Sequence, residues 1–265
     1  MAHAHKASGD SNPSVPFVGP WNEDVRSPSL LCLLRTKRDL ADLEAKPIPG
    51  VSVSPVDDDV TKIHVLMIGP ADTPYEGGFF HFFIECGADY PMQPPSVRLL
   101  TTDAGRVQFS QHIYCNGNIF LDPYWTPTQS IGSLLASILS LLQADAYSQG
   151  HLPAETYQQA MSRHISYVQH ETLRVAVCDT VEACLQGNSR YPPDMAERVI
   201  PHTFLGYYNR YREIIEANLH LSGREMRTFA GSHKGIFQYN VLLVRLDDLL
   251  QRLKNKYGTS SSASA

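Results

Sequence analysis

Two stretches, Thr73-Pro74-Tyr75-Glu76-Gly77-Gly78-Phe79-Phe80 and Tyr90-Pro91-Met92-Gln93-Pro94-Pro95-Ser96-Val97, decide how this chain is read. They sit inside residues 51–100, where the pattern is that of strands: VSVSPV at 51–56, TKIHVLMI at 61–68, FFHFFIEC at 79–86 and SVRLL at 96–100. Turn-forming residues, Asp57-Asp58-Asp59 and Glu76-Gly77-Gly78, separate them. Short consecutive strands with tight turns predict an antiparallel meander. Gly77-Gly78 supplies a turn with free backbone torsions between two strands. The three prolines of residues 90–95 stiffen a loop that has few hydrogen bonds of its own. A cis bond at Pro95 is accessible, because the penalty before proline is only about 1 kcal/mol.

Upstream, residues 1–20 are rich in Ser, Pro, Gly and His and have no hydrophobic period, which predicts a flexible tail. Ser27 and Ser29 stand at the entrance of a helix whose Leu30, Leu31, Leu34, Leu40 and Leu43 fall mainly on one side. Arg35, Lys37 and Arg38 give it a basic solvent side, and Pro47-Ile48-Pro49-Gly50 ends it. Downstream, residues 101–128 are irregular, and a loop that long in a compact domain is usually functional. Helical patterns resume at Gln129 and recur over 155–185, 195–218 and 239–256, before a low-complexity tail at 257–265. The plan is α+β, with a core domain over 21–150 and a helical C-terminal extension over 151–256.

The composition is that of a soluble globular protein: 22 Lys+Arg against 27 Asp+Glu, a net charge of -5 and 43% hydrophobic residues. Mild acidity argues against a nucleic-acid binder, which needs a basic stripe or patch. No run reaches the ~20 apolar residues of a membrane helix; residues 131–142 (IGSLLASILSLL) read as a buried core helix instead. The N-terminus lacks the apolar core of a secretory signal, so the chain is expected on the reducing side of membranes. Five cysteines without a CxxC pair predict free thiols rather than a disulfide framework or zinc site. Neither a metal nor a bound cofactor is implied.

Taken in order, Gly69-Pro70, the two opening stretches, Asn116-Gly117-Asn118-Ile119 and Trp125-Thr126-Pro127 resemble the catalytic core of ubiquitin-conjugating enzymes. Residues 32–39 and 170–179, with Phe204-Leu205-Gly206-Tyr207-Tyr208 and Leu219-His220-Leu221, look like the class Z subgroup, which carries a long helical C-terminal extension. The resemblance covers roughly residues 21–250 and implies the UBC-like fold: an N-terminal helix, a four-stranded antiparallel meander, then helices. It implies that Met92, Pro127 and Thr128 lie on the two loops that meet ubiquitin ligases, where the residues alone read equally as a rigid connection. It implies that Arg35, Lys37 and Arg38 meet the activating enzyme, where the residues alone read as a solvated helix face.

The family forms a thioester on a cysteine and passes ubiquitin to an amine, aided by an asparagine donor near the developing oxyanion. Its pattern Asn-Gly-x-(Ile/Val)-Cys-Leu aligns without gaps on residues 116–121, which places Phe120 at the nucleophile position. A phenyl ring has no lone pair to attack a thioester. The same alignment turns His-Pro-Asn into Ser110-Gln111-His112, with His112 at the donor position. The segment from Phe120 to Trp125 is shorter than the family's, although Asp122 remains two residues after the nucleophile position. Cys115 is an alternative nucleophile that requires a rebuilt rim; otherwise it is an incidental surface thiol.

Three functions follow from the resemblance. The first is a catalytically inactive variant that binds ubiquitin-pathway partners and regulates ubiquitination. The second is an active conjugating enzyme working through a cysteine thioester, and the third makes the C-terminal helices a scaffold. The implied partners are ubiquitin or a ubiquitin-like modifier, the activating enzyme, and ligases or an active conjugating enzyme. The implied location is cytoplasm and nucleus.

Overall fold

The helix expected after Ser27 and Ser29 is α1, Leu30–Ala45, in a computed structural model that describes residues 27–119, 125–143 and 154–258. Ser29 caps it by accepting the Cys32 amide at 3.1 Å on Oγ, satisfying a donor that the first turn leaves unpaired. The buried stripe differs from the expected one. Cys32, Thr36 and Asp39 face inward, with Leu40 and Leu43 packed beside them, while Leu30, Leu31 and Leu34 are 72%, 55% and 59% exposed. Counting apolar residues misses this because the inward stripe carries a carboxylate, Asp39, that is satisfied by partners distant in sequence.

The meander is present as β1 (Val51–Val56), β2 (Asp59–Ile68), β3 (Phe79–Glu85) and β4 (Ser96–Leu99), all antiparallel and in sequential order. β2 and β3 pair in strict register from Ile68–Phe79 to Lys62–Glu85. Alternation then divides β3 between two faces. Phe80 packs edge-on against Phe109 on one side; His81 on the other stacks at 4.1 Å on Tyr191 from the C-terminal region. The strand therefore reads as nearly continuous apolar sequence because both of its faces are covered. The cis bond lies at Tyr90–Pro91, one turn earlier than the expected position before Pro95.

Helix α2 (Ile131–Gln143) is the expected core helix, burying Ile131, Leu134, Leu135, Ile138 and Leu142. α3 (Ala154–Glu171) continues through wider, π-helical turns at Thr172–Asp179 into α4 (Thr180–Gln186), a single rod matching the 155–185 pattern. A second π-helical segment, Met195–Val199, leads into α5 (Ile200–Asn218), and α6 (Tyr239–Gly258) packs against α5. Between them lies a small hairpin that the sequence reading missed, β5 (Glu225–Arg227) and β6 (His233–Ile236). Its strands are too short and too polar to show an alternating pattern. The boundaries placed at 20/21 and 150/151 lie outside the described residues.

The C-terminal helices close directly on the β2–β3 connection. Tyr211 donates its hydroxyl to the Gly77 carbonyl at 2.7 Å, and Arg210 makes a two-pronged ion pair with Glu76 at 3.1 and 3.0 Å. Gly77 has φ +71°, and a Cβ there would stand 2.6 Å from the Tyr211 ring; one on Gly78 would stand 2.7 Å from the Thr172 methyl. The glycine pair is thus needed for close approach of the helices as well as for the turn. One apolar cluster runs from Cys32 and the sheet through to Leu253.

Candidate functional site

Residues 110–119 form the shoulder where the family chemistry is expected, and their shape is fixed by the backbone. Ser110 bridges Ile113, Ile113 bridges Ile119, and Asn118 bridges Arg98 in β4. The Gly117 carbonyl accepts the Leu99 amide at 2.8 Å. A Cβ on Gly117, which has φ +87°, would lie 2.1 Å from the Leu99 carbonyl oxygen, so glycine is required there. Asn116 Oδ1 accepts the Asn118 amide at 3.0 Å, the local turn typical of asparagine. Behind the shoulder, the Tyr75 hydroxyl donates to the Phe109 carbonyl at 2.8 Å.

His112 is half-buried on this shoulder, its amide donating to Ser110 Oγ at 3.2 Å and its Nε2 3.3 Å from Gln111 Nε2. Phe120 and Asp122 lie outside the described residues. The cysteines divide sharply. Cys32, Cys86, Cys178 and Cys184 are buried and Cys115 is exposed. Burial pushes the Cys86 and Cys178 thiols up to about 12 and also raises those of Cys32 and Cys184. A buried thiol with a raised pKa supplies little thiolate, the nucleophilic form.

The two loops carrying Met92, Pro127 and Thr128 are held together from below. Trp125 donates its indole N–H to the Pro91 carbonyl at 2.8 Å. Arg35 donates to the Pro127 carbonyl at 2.7 Å and the Gln129 carbonyl at 2.6 Å, and pairs with Asp39 at 2.8 Å. Asp39, only 2% exposed, also accepts from the Tyr90 hydroxyl and from the Ile131 amide at 3.1 Å. A buried carboxylate with three donors from three elements is fully satisfied and fixes their relative positions. No local pattern marks this latch, because Asp39 reads as one more surface charge on α1. Met92, Pro127 and Thr128 remain exposed on top of it. Lys37 and Arg38 are exposed on α1, whereas the Arg35 guanidinium is taken up by the latch.

A second network joins Asp103 and Arg106, on the approach to the shoulder, to the C-terminal rod. Arg174, on the π-helical turns, pairs with Glu171 and at 2.7 Å with Asp103, which also holds Arg106. The Gln238 amide donates to His170 Nε2 at 3.0 Å, which leaves Nδ1 to donate to Glu171 at 2.7 Å. Burial raises the Glu171 carboxyl, but the bonds from His170 and Arg174 outweigh it and hold the group below the usual carboxylate range. Asp103, Arg106, Glu171 and Arg174 line a cleft of about 440 Å³ whose arginines are already matched by carboxylates. Arg174, through Asp103, and Lys234, through the Arg106 carbonyl at 3.2 Å, tie the approach to the shoulder to the C-terminal region.

Residues 35–173 match the family described as Ubiquitin-conjugating enzyme. The chain is 37% identical over 264 residues to "Ubiquitin-conjugating enzyme E2 Z" of Danio rerio, covering 97% of this chain and 77% of the relative. It is 38% identical over 277 residues to the Homo sapiens protein of that name, covering 100% and 76%. The solved structure of human Ubiquitin-conjugating enzyme E2 G1 aligns with 42% of this chain and 93% of that one, at 31% identity and a TM-score of 0.38. With its N-terminal helix, four-stranded meander and helical remainder, the chain belongs to the ubiquitin-conjugating enzyme family and stands close to the E2 Z proteins.

Proposed function

We propose that this protein is a catalytically inactive member of its family, a binding module that engages ubiquitin-pathway partners and regulates ubiquitination. The observation that carries the reading is Phe120 at the position where the family pattern, set on residues 116–121, has its cysteine. Thioester formation needs a thiolate, and no environment gives one to a phenyl ring. His112 at the oxyanion-donor position and the short run from Phe120 to Trp125 agree with it. Exposure supports the binding roles proposed for these residues: Met92, Pro127 and Thr128, read as the ligase contacts, and Lys37 and Arg38, read as activating-enzyme contacts, are all exposed. Ubiquitin, a ubiquitin-like modifier or an active conjugating enzyme are the other partners of this reading, in cytoplasm and nucleus.

A second reading rests on Cys115, the exposed thiol of the five. Here the protein is an active conjugating enzyme with a displaced nucleophile. Incubation with activating enzyme, ATP and ubiquitin, followed by reducing and non-reducing gels, separates the two. The inactive reading expects no reducible adduct while an E2 Z protein charges in parallel. An adduct that disappears in Cys115→Ser would overturn it in favour of the second.

A further inference from the structure

Away from the shoulder, α3 and the β5–β6 hairpin enclose a pocket of about 190 Å³. Its lining includes the exposed Arg163, Arg224 and Arg227, Ser162 and Ser166, and the buried Phe237; the Ser166 hydroxyl donates to the Ser162 carbonyl at 3.1 Å. The only carboxylate in the lining, Glu225, is already bound to Arg227 at 2.6 Å. Arg163 and Arg224 have no ion-pair partner among the described residues. The contrast with the larger cleft is chemical: there, each arginine meets a carboxylate of the fold.

Two guanidiniums without an ion-pair partner among the described residues line one small pocket, on a chain whose net charge is -5; at a solvent-exposed rim water and salt screen much of their mutual repulsion. An oxyanion removes that repulsion and satisfies the planar N–H forks of arginine, for which phosphate geometry is well matched. We propose that this pocket binds a phosphoryl group, with the guanidiniums of Arg163 and Arg224 as its main donors and the serine hydroxyls of Ser162 and Ser166 within the lining. The group can come from free phosphate or from a phosphate monoester on an apolar stem resting against Phe237 and Leu221. Either source places the charge at the rim and leaves the proposed ubiquitin-pathway surfaces untouched.

The test is titration of the full chain with inorganic phosphate and, separately, phenyl phosphate, at constant ionic strength, followed by calorimetry. Saturable binding is expected for at least one probe, weakened roughly tenfold by Arg163→Gln and by Arg224→Gln. Tighter binding of phenyl phosphate identifies the monoester as the source; equal binding identifies free phosphate. Both arginines are exposed, so unchanged thermal unfolding of the variants should verify that folding is intact. Absence of saturable binding, or binding indifferent to both substitutions, overturns the proposal.

Discussion

The Tyr211 hydroxyl donates to the Gly77 carbonyl at 2.7 Å while its ring occupies the space a Gly77 side chain would need. One residue of the C-terminal helices is therefore fitted to one residue of the strand connection. Gly77→Ala combines a left-handed backbone with overpacking against a buried ring, and should cost at least ~2 kcal/mol. Tyr211→Phe, which removes only the hydrogen bond, should cost about 1 kcal/mol. Urea unfolding of both variants checks the order; a Gly77→Ala protein as stable as the parent would sink the close-contact argument.

Asp39 anchors both loops that carry Met92, Pro127 and Thr128. Asp39→Ala leaves the Arg35 guanidinium, the Tyr90 hydroxyl and the Ile131 amide without their acceptor. Removing one partner of a buried pair typically costs about 3–5 kcal/mol. The expected result is a large fall in the urea midpoint. A loss below about 1 kcal/mol, the range of a surface ion pair, would mean that the latch is dispensable.

Stability should fall on mild acidification. Burial first, then the charges of His64 and Arg190, lower the His81 pKa to about 3, and burial alone lowers His164 to about 4. Above about pH 6.5 both histidines are neutral whether the chain is folded or not. Below it the unfolded chain takes up protons that the folded one refuses, so stability declines as pH falls toward the folded values. Each histidine should account for about 2 kcal/mol between pH 7 and 5. Urea unfolding across that range should show the decline, and His81→Gln should make it shallower; an unchanged slope would contradict the assignment.

Thiol labelling should find one fast cysteine. Cys115 is exposed, whereas Cys32, Cys86, Cys178 and Cys184 are buried. Under native conditions a maleimide should add once, and Cys115→Ala should abolish that addition. Four further additions should appear in denaturant. Rapid native labelling at more than one site would show that the core opens more readily than its packing indicates.

The meander, the core helix at 131–142 and the long C-terminal rods were legible because apolar residues recur there at strand or helix spacing. The α1 face was not. Leu30, Leu31 and Leu34 outvote Cys32, Thr36 and Asp39 in any count of hydrophobicity, yet Asp39 turns inward because Tyr90, Ile131 and Arg35 supply its donors. Such long-range hydrogen bonds leave no local pattern. The β5–β6 hairpin was invisible for another reason: three- and four-residue strands are too short to express a period. At the shoulder, Asn116 and Gly117 were readable as a turn, but the collision that makes Gly117 obligatory lies with Leu99, on a different strand.

The π-helical turns at Thr172–Asp179 interrupt an otherwise regular rod. Wider turns advance more slowly around the axis than α-helical ones, so they reset the direction in which later side chains point. Before them, α3 contacts the small hairpin; within them, Thr172 and Arg174 reach the strand connection and Asp103; beyond them, α4 faces α5 and α6. The continuous helical run thus meets three sets of neighbours, and its phase changes at the π-helical turns between them. Length here carries information that residue chemistry does not: deleting Ala176 alone, which spares Thr172 and Arg174, would rotate everything after it and change which partner each later side chain meets.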